Sequence, residues 1–330
     1  MALDRAAIER LIDAAGYDPL TPVAVGVSLR ATAPLFVSRG DDVDGATFGA
    51  DSLAYAASLA KQMTGACAAL LARDGTLDVE ATIDAWLPEL PGWSRTIRVR
   101  HLLHHTSGLP GTDTVCSRME SRGELDWTSD GVIEALTTMI DLEPVPGTEY
   151  AYSGVGYVCL ARIVERLSGQ SLDRLAHARL FEPLQMHDTL LWSGPQASPP
   201  HAALKRPLES PLPLSLGDGG LWTTVRDLLR WNDALLADRL GLTGTLHSPG
   251  TLDDGTPLDY AWGVRAFRLD GERVESHGGS WEGTTAKVIR LPDRGASVAA
   301  LALDDDIERM VALSTALHDL IGRHSTLALS

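Results

Sequence analysis

Residues 58–75 read SLAKQMTGACAALLARDG and have the pattern of a helix that follows a loop. Between Met63 and Leu71 the apolar residues recur at three- and four-residue spacing, which is the pattern of a buried helix. Gly75 follows the last apolar turn and is a typical helix stop. The segment therefore predicts a helix that begins near Ser58, directly after a polar loop.

Strand-like runs lie at both ends of the chain, and helical patterns lie between them. Residues 22–38 hold two β-rich runs around a turn, and four more runs follow within residues 260–303. Residues 1–18 and 306–322 have helical patterns. This order predicts an α+β fold with one antiparallel sheet built from both chain ends, flanked by terminal helices, and a mostly helical insertion.

We expect residues 1–330 to form a single catalytic unit with two lobes. The α/β lobe comprises about residues 1–76 plus 258–330, and the mostly helical lobe about 77–257. The clearest helical patterns of the second lobe are at residues 131–142, 155–168, 171–180 and 225–238.

Composition excludes several functional classes. A net charge of −16 repels phosphate and argues against a nucleic-acid binder. The three cysteines have no CxxC spacing, so neither a zinc ribbon nor a disulfide framework is expected. Charged residues interrupt residues 1–18, which lack the apolar centre of a signal peptide, and no run approaches the roughly 18 apolar residues of a membrane span. We therefore expect a cytoplasmic protein that binds neither membrane nor nucleic acid, of undetermined oligomeric state.

Ser58 and Lys61 form an S-x-x-K pattern at the start of the predicted helix. Residues three apart share a helix face, so the amine can take the hydroxyl proton while the helix N-terminus favours negative charge at the serine. The same S-x-x-K pattern would also be found if Ser58 were an exposed residue at a helix start and Lys61 were solvated.

Two other segments can contribute to such a site. Tyr152 precedes an apolar helix and can carry a proton, although a packed aromatic would also suit this position. Residues 277–280, HGGS, end a β-like run, where two glycines allow close approach of a substrate. The backbone N–H of Ser280 can then face that of Ser58 as an oxyanion hole, or the segment is a plain glycine turn.

Neither a metal nor a cofactor is expected. His101, His104 and His105 lack an HExxH pattern and a nearby acidic ligand, so we interpret them as structural histidines. The GDGG at residues 217–220 is not followed by GK[ST] and is not a phosphate-binding loop.

Together, five segments in order resemble the serine β-lactamase-like superfamily, which includes class C β-lactamases, penicillin-binding DD-peptidases and esterase relatives. The five segments are SLAKQMTGACAALLARDGTLDVEATIDAWLPELP from Ser58, RVRHLLHHTSGLP from Arg98, PGTEYAYSGVGYVCLARIVERLSG from Pro146, GDGGLWTTVRDLLRWNDALL from Gly217 and HGGSWEG from His277.

The resemblance implies roles for the residues singled out above. It implies that Ser58 is the acylated nucleophile and that Lys61 and Tyr152 form the general-base pair. It assigns the oxyanion hole to the backbone N–H groups of Ser58 and Ser280. His277 and Gly279 match the ends of the family's third motif, beside the substrate.

Two positions depart from the family's pattern. Gly154 stands where the family usually has an Asn that contacts the lysine and a substrate amide. His277 stands where β-lactamases have Lys, and a near-neutral imidazole is a weaker partner for a carboxylate. Both changes favour esters, thioesters or unusual amides over β-lactams. Tyr150, Trp222 and Trp281 are candidates for the wall of the acyl pocket, or equally for the core.

Three main hypotheses about function are open at this point, and true β-lactamase or peptidase activity is the remaining alternative. The leading hypothesis is a serine hydrolase that acts on an ester-like small molecule through an acyl-enzyme. The second is an acyltransferase that passes the acyl group to an amine or alcohol. The third is a non-catalytic relative that binds a ligand, and Gly154 is its main support.

Overall fold

The computed structural model describes residues 3–30, 32–121, 128–142, 145–194, 198–205 and 215–328. Within these ranges the strands are β1 (Val23–Leu29), β2 (Leu35–Arg39), β3 (Ala54–Ala57), β4 (Leu190–Leu191), β5 (Leu221–Thr223), β6 (Arg265–Leu269), β7 (Glu272–Trp281), β8 (Thr284–Leu291) and β9 (Ala296–Ala302). The helices are α1 (Arg5–Ala14), α2 (Ala60–Arg73), α3 (Val99–Leu103), α4 (Thr112–Ser121), α5 (Ser129–Thr137), α6 (Gly154–Ser168), α7 (Leu172–Ala176), α8 (Val225–Leu236), α9 (Thr243–Leu246) and α10 (Ile307–Ala328).

The main sheet is antiparallel and joins the two ends of the chain, as the sequence predicted. Its strand order is β2-β1-β9-β8-β7-β6, with Val23 of β1 opposite Ala302 of β9. Residues on both faces of β1 and β9 are buried, because helices cover the sheet on each side. α1 and α10 pack on one face and α8 packs on the other. The predicted α+β fold is confirmed.

Helix α2 lies at the centre of the molecule. All residues from Ala60 to Leu71 are buried, and the helix ends at Arg73 with Gly75 in the left-handed conformation, as predicted. A Cβ at Gly65 would lie 2.5 Å from the main-chain oxygen of Trp262, so only glycine allows this close approach. The start of α2 is therefore held rigidly inside the protein.

A second, small sheet was not anticipated from the sequence. Its strand order is β3-β5-β4, and β3 runs directly into Ser58. These strands have four, two and three residues in chain order, which is too short for an alternating pattern to show. Helix α5 is also shorter than the predicted 131–142, since it ends at Thr137. Among the helices of the described ranges, none combines the length and apolar character needed to cross a bilayer.

A buried guanidinium connects the main sheet with α2 and α8. Arg290 of β8 has no exposed side-chain surface and lies 2.9 Å from a carboxylate oxygen of Glu275 on β7. It also donates hydrogen bonds to the side-chain oxygens of Gln62 on α2, at 2.9 Å, and Asn232 on α8, at 3.0 Å. The Arg290 guanidinium therefore connects the main sheet with α2 and α8. Among the described ion pairs, Glu275 is its only carboxylate partner.

We predict that Glu275→Gln lowers the free energy of unfolding by about 3–5 kcal/mol, because it leaves the Arg290 charge buried without a counter-ion. Chemical denaturation monitored by tryptophan fluorescence measures the change. Asp293→Asn is the matched control, since it disrupts the exposed ion pair with Arg273 and is expected to have a far smaller effect. Equal losses in the two variants would contradict the prediction.

Candidate active site

Ser58 sits on a sharp turn between β3 and α2. The last strand residue, Ala57, has φ +45°, a left-handed conformation that costs a residue with a side chain roughly 1–2 kcal/mol. The turn is closed by a hydrogen bond from the N–H of Leu59 to the carbonyl of Ala56, at 3.1 Å. The strained turn leaves the Ser58 side chain half-buried at the floor of a cleft.

Lys61 faces Ser58 one helical turn later, as the spacing predicted. Its Nζ lies 3.1 Å from the Ser58 Oγ and 2.8 Å from the main-chain oxygen of Asp218. Lys61 is only 1% exposed. In the described part of the chain, Lys61 has no salt bridge to a carboxylate. The amine is thus positioned to exchange a proton with the serine hydroxyl.

Tyr152 enters the same cleft from the segment before α6. The Lys61 Nζ lies 5.0 Å from the centre of its ring, and the ring is partly exposed to the cleft. His105 positions this segment, because its carbonyl accepts from the N–H of Ala151 at 2.8 Å and its Nδ1 accepts from the N–H of Ser153 at 3.1 Å. Burial holds the pKa of His105 well below its usual value, which keeps Nδ1 free to accept.

The other two histidines of this cluster also have structural partners. His101 Nδ1 accepts from the main-chain N–H of Arg98 at 3.1 Å, and His104 Nδ1 lies 3.0 Å from the carbonyl oxygen of Tyr260. Within the described residues, no three metal-binding side chains come together. All three imidazoles are hydrogen-bonded to the main chain.

Strand β7 passes very close to the turn that carries Ser58. A Cβ at Gly279 would lie 2.2 Å from the main-chain oxygen of Ala56 and 3.2 Å from the nitrogen of Ser58. The hydroxyl of Thr284 donates to the carbonyl of Tyr55 at 2.8 Å and holds the strands together. Ser280, the next residue of β7, therefore lines the same cleft as Ser58, and its role in an oxyanion hole stays a prediction.

His277 is a neutral side chain with both ring nitrogens in hydrogen bonds. Its Nδ1 lies 2.6 Å from the carbonyl oxygen of Gly278, which can only accept, so Nδ1 carries the proton. Its Nε2 then accepts from the hydroxyl of Tyr260, at 3.0 Å. Burial, with the nearby charge of Lys61, lowers the pKa of His277 to about 3. His277 cannot supply the positive charge that a lysine would offer at this position.

The cleft continues into two cavities that meet at Ser58 and Tyr152. The first, of about 130 Å³, we call the Asp218 cavity, and its further polar lining includes Thr112, Asp113 and Asp218. The second, of about 330 Å³, we call the Lys287 cavity, and it holds Arg265, His277 and Lys287 together with apolar side chains of α10. Ser58 therefore lies between a cavity lined by Asp113, Asp218 and Lys61 and a cavity lined by Arg265 and Lys287.

Gly154 opens the Asp218 cavity. A Cβ at this residue would lie 2.7 Å from the hydroxyl of Thr112 and 2.9 Å from the Oδ2 of Asp218. The carboxylate of Asp218 thus occupies space that a side chain at 154 would need.

The three aromatic candidates are placed differently. Trp281 lines the Asp218 cavity. Trp222 is 1% exposed and packs against the ring of Tyr55 at 5.2 Å, so it stands behind the cavity wall, in agreement with the core alternative. Tyr150 is stacked between the Arg265 guanidinium, at 5.7 Å, and the core, outside both cavity linings.

Sequence reasoning missed four residues that shape the site. Tyr157 and Tyr260 surround Lys61 and His277, and burial raises the pKa of both phenols well above the ordinary value, so they stay neutral. Asp218 and Lys287 give the two cavities their charge. Asp218 and Tyr157 lie within segments that the sequence analysis singled out, beginning at Gly217 and Pro146, whereas Tyr260 and Lys287 lie outside all five segments.

A family model described as Beta-lactamase matches residues 23–320. Among curated proteins, a penicillin-binding protein of Bacillus subtilis is 29% identical over 299 residues, which cover 83% of this chain and 66% of that protein. A D-aminopeptidase of Brucella ovis is 29% identical over 239 residues, covering 68% of this chain and 45% of that protein. The chain thus spans less than two thirds of the length of either relative.

Among solved structures, the octameric penicillin-binding protein homologue from Pyrococcus abyssi superposes with a TM-score of 0.82 at 19% identity. The match covers 97% of this chain and 78% of that one. At this identity the likeness concerns the fold.

We predict that Gly279→Ala lowers the rate of Ser58 acylation by about 100-fold or more, the usual effect of losing one oxyanion-hole donor. The new Cβ would collide with the main-chain oxygen of Ala56 and move β7 away from Ser58. Covalent labelling by a fluorophosphonate measures the rate. Gly278→Ala is the matched control, since its Cβ would meet neighbours only at 3.6 Å or beyond. Similar rates in both variants would contradict the proposed donor geometry.

A second prediction concerns pH and stability. In the unfolded chain His277 titrates near its ordinary value of about 6.5, whereas in the folded protein its pKa is about 3. Between these values only the unfolded chain binds the proton, so the stability present above pH 6.5 is lost as the pH falls toward 3. His277→Gln should reduce the slope of unfolding free energy against pH, by up to about 1.4 kcal/mol per pH unit. Denaturant titrations at several pH values measure the slopes, and unchanged slopes would refute the assignment.

Proposed function

Because the chain belongs to the beta-lactamase family, we propose that it is a serine hydrolase that cleaves small ester-like substrates through an acyl-enzyme on Ser58. One observation carries the proposal: the Lys61 Nζ lies 3.1 Å from the Ser58 Oγ at the floor of a cleft that opens on both sides of the serine. In this proposal the turn before α2 holds the nucleophile, Ser58, and the first turn of α2 holds its proton acceptor, Lys61.

In the acylation step the Ser58 Oγ attacks the ester carbonyl carbon while Lys61, in the unprotonated form that this step requires, takes the hydroxyl proton. The oxygen of the tetrahedral intermediate is stabilised by the N–H groups of Ser58 and Ser280. When the intermediate collapses, the bond to the leaving alcohol breaks and the alcohol receives a proton from the Lys61–Tyr152 pair. The acyl group is then bonded to the Ser58 Oγ.

Deacylation repeats these steps with water. A water molecule loses a proton to the Lys61–Tyr152 pair and attacks the acyl carbonyl carbon, and the Ser58 Oγ leaves as the hydroxyl with that proton. The partly exposed ring of Tyr152 stands at the solvent side of Lys61, which suits this role. The products are the free acid and the regenerated serine.

The preference for esters is supported by two groups that the site lacks. Gly154 offers no side-chain amide to bind a substrate N–H, and neutral His277 offers no fixed cation for the carboxylate of a β-lactam. An ester needs neither partner. One curated relative is named as a D-aminopeptidase, so an activated amide is the natural second substrate class to test.

The proposal is tested with p-nitrophenyl acetate, by following nitrophenol release and the mass of the intact protein. The wild type should show turnover and a transient mass increase of one acetyl group. Ser58→Ala should lose both, with kcat/KM lower by about 1000-fold or more.

Ser280→Ala is the matched control, because the mechanism uses only the backbone N–H of Ser280, and it should retain turnover. Turnover by Ser58→Ala within tenfold of the wild type would overturn the nucleophile assignment. An acetyl adduct that turns over only after an amine or alcohol is added would replace hydrolysis by acyl transfer.

A further inference from the structure

Asp218 is a carboxylate inside the proposed active site to which no step of the proposed reaction assigns a role. It lines the Asp218 cavity together with Ser58, Lys61 and Tyr152. Its own carbonyl oxygen accepts the hydrogen bond from Lys61, which fixes the residue against the catalytic lysine. The side chain is therefore held at a defined place beside the nucleophile.

The carboxylate is oriented by its own segment toward α6. The hydroxyl of Ser215 donates to Oδ1 at 3.0 Å. The other oxygen, Oδ2, would lie 2.9 Å from a Cβ on Gly154. The glycine at 154 therefore leaves room for the Asp218 carboxylate in its present position, and a side chain there would require the carboxylate and the Thr112 hydroxyl to shift.

The Asp218 carboxylate lies in buried surroundings, which disfavour an unpaired charge. Burial raises the pKa of Asp218, and the positive field of Lys61 works against that shift. Within the described residues Asp218 has no salt bridge to an arginine, lysine or histidine. A cation brought by the substrate would gain a charge-assisted hydrogen bond in a partly desolvated pocket.

The charges on either side of Ser58 fix which end of a substrate carries that cation. Asp113 and Asp218 line one cavity, where Lys61 is the only cation among the described lining residues and lies at the Ser58 end. Lys287 and Arg265, which is paired with Asp259, line the other. Lys287 is half-buried, and Arg265 lies close enough to act on its charge. A positively charged group is thus attracted to the Asp218 cavity and repelled from the Lys287 cavity.

We propose that Asp218 is a specificity-determining residue that binds an ammonium group next to the scissile carbonyl, so that the enzyme selects amino-acyl esters over neutral acyl esters. This inference rests on the proposed function, because it concerns the substrate of the same Ser58 site. The small volume of the Asp218 cavity, about 130 Å³, suits an ammonium group with a short side chain.

The test compares two esters that differ only in charge: alanine benzyl ester, as both enantiomers, and benzyl isobutyrate, in which a methyl group replaces the ammonium. Release of benzyl alcohol is measured by chromatography at about pH 6.5, where the α-amino group is protonated. The wild type should prefer one alanine ester. Asp218→Asn should lower kcat/KM for that ester by about 10- to 100-fold, the worth of one hydrogen bond to a charged group, and leave benzyl isobutyrate within about threefold.

Asp293→Asn is the matched control, because it removes the same charge from an exposed ion pair with Arg273, outside both cavity linings. It should change neither ester by more than about threefold. A selective loss of the alanine ester in Asp293→Asn as large as that in Asp218→Asn would overturn the assignment to Asp218. An equal loss of both esters in Asp218→Asn would also overturn it, because Asp218 would then act on Lys61 and not on the substrate.

Binding to inactive protein separates this inference from the proposed function. With Ser58→Ala, calorimetry should show that the preferred alanine ester binds about tenfold more tightly than benzyl isobutyrate, and that adding Asp218→Asn abolishes the difference. Ser58-dependent turnover of benzyl isobutyrate without this difference would leave the hydrolase intact and refute the ammonium site. The binding difference without any turnover would keep the ammonium site and refute the hydrolase.

Discussion

The buried charge of Arg290 is the interaction on which the arrangement of the site depends. Its guanidinium is shared between Glu275 of β7, Gln62 of α2 and Asn232 of α8. Gln62 directly follows Lys61, and Glu275 is two residues from His277. Because a buried guanidinium must keep its partners, the start of α2 and the strand beside the substrate cannot move independently.

A second constraint acts at the contact between β3 and β7. The main-chain oxygen of Ala56 leaves no room for a Cβ at Gly279, and Ala57 accepts a left-handed conformation so that Ser58 can turn into α2. The left-handed conformation of Ala57 has an energetic cost and lies directly before Ser58. Strain beside a reactive residue is typical of a functional site, and the close approach of β7 at Gly279 places Ser280 in the same cleft as Ser58.

The charges around Ser58 differ from the pattern of β-lactamases, in which a lysine stands at the position of His277. The imidazole of His277 is kept neutral by burial, and its hydrogen bonds to Tyr260 and Gly278 use both nitrogens. Charge is supplied instead by Asp218 and Lys287, which flank Ser58 on opposite sides. The polarity of the cleft is thus set by residues outside the catalytic group.

The sequence by itself determined the α+β class, the sheet built from both chain ends, and the facing of Ser58 and Lys61. These follow from local rules: helical spacing, strand-like runs and the shared face of residues three apart. Only the tertiary structure decided that Trp222 lies behind the cavity and that the carboxylate of Asp218 fills the space at Gly154. Those outcomes depend on contacts between segments more than 60 residues apart in the sequence, such as Gly154 and Asp218, and no local pattern encodes them.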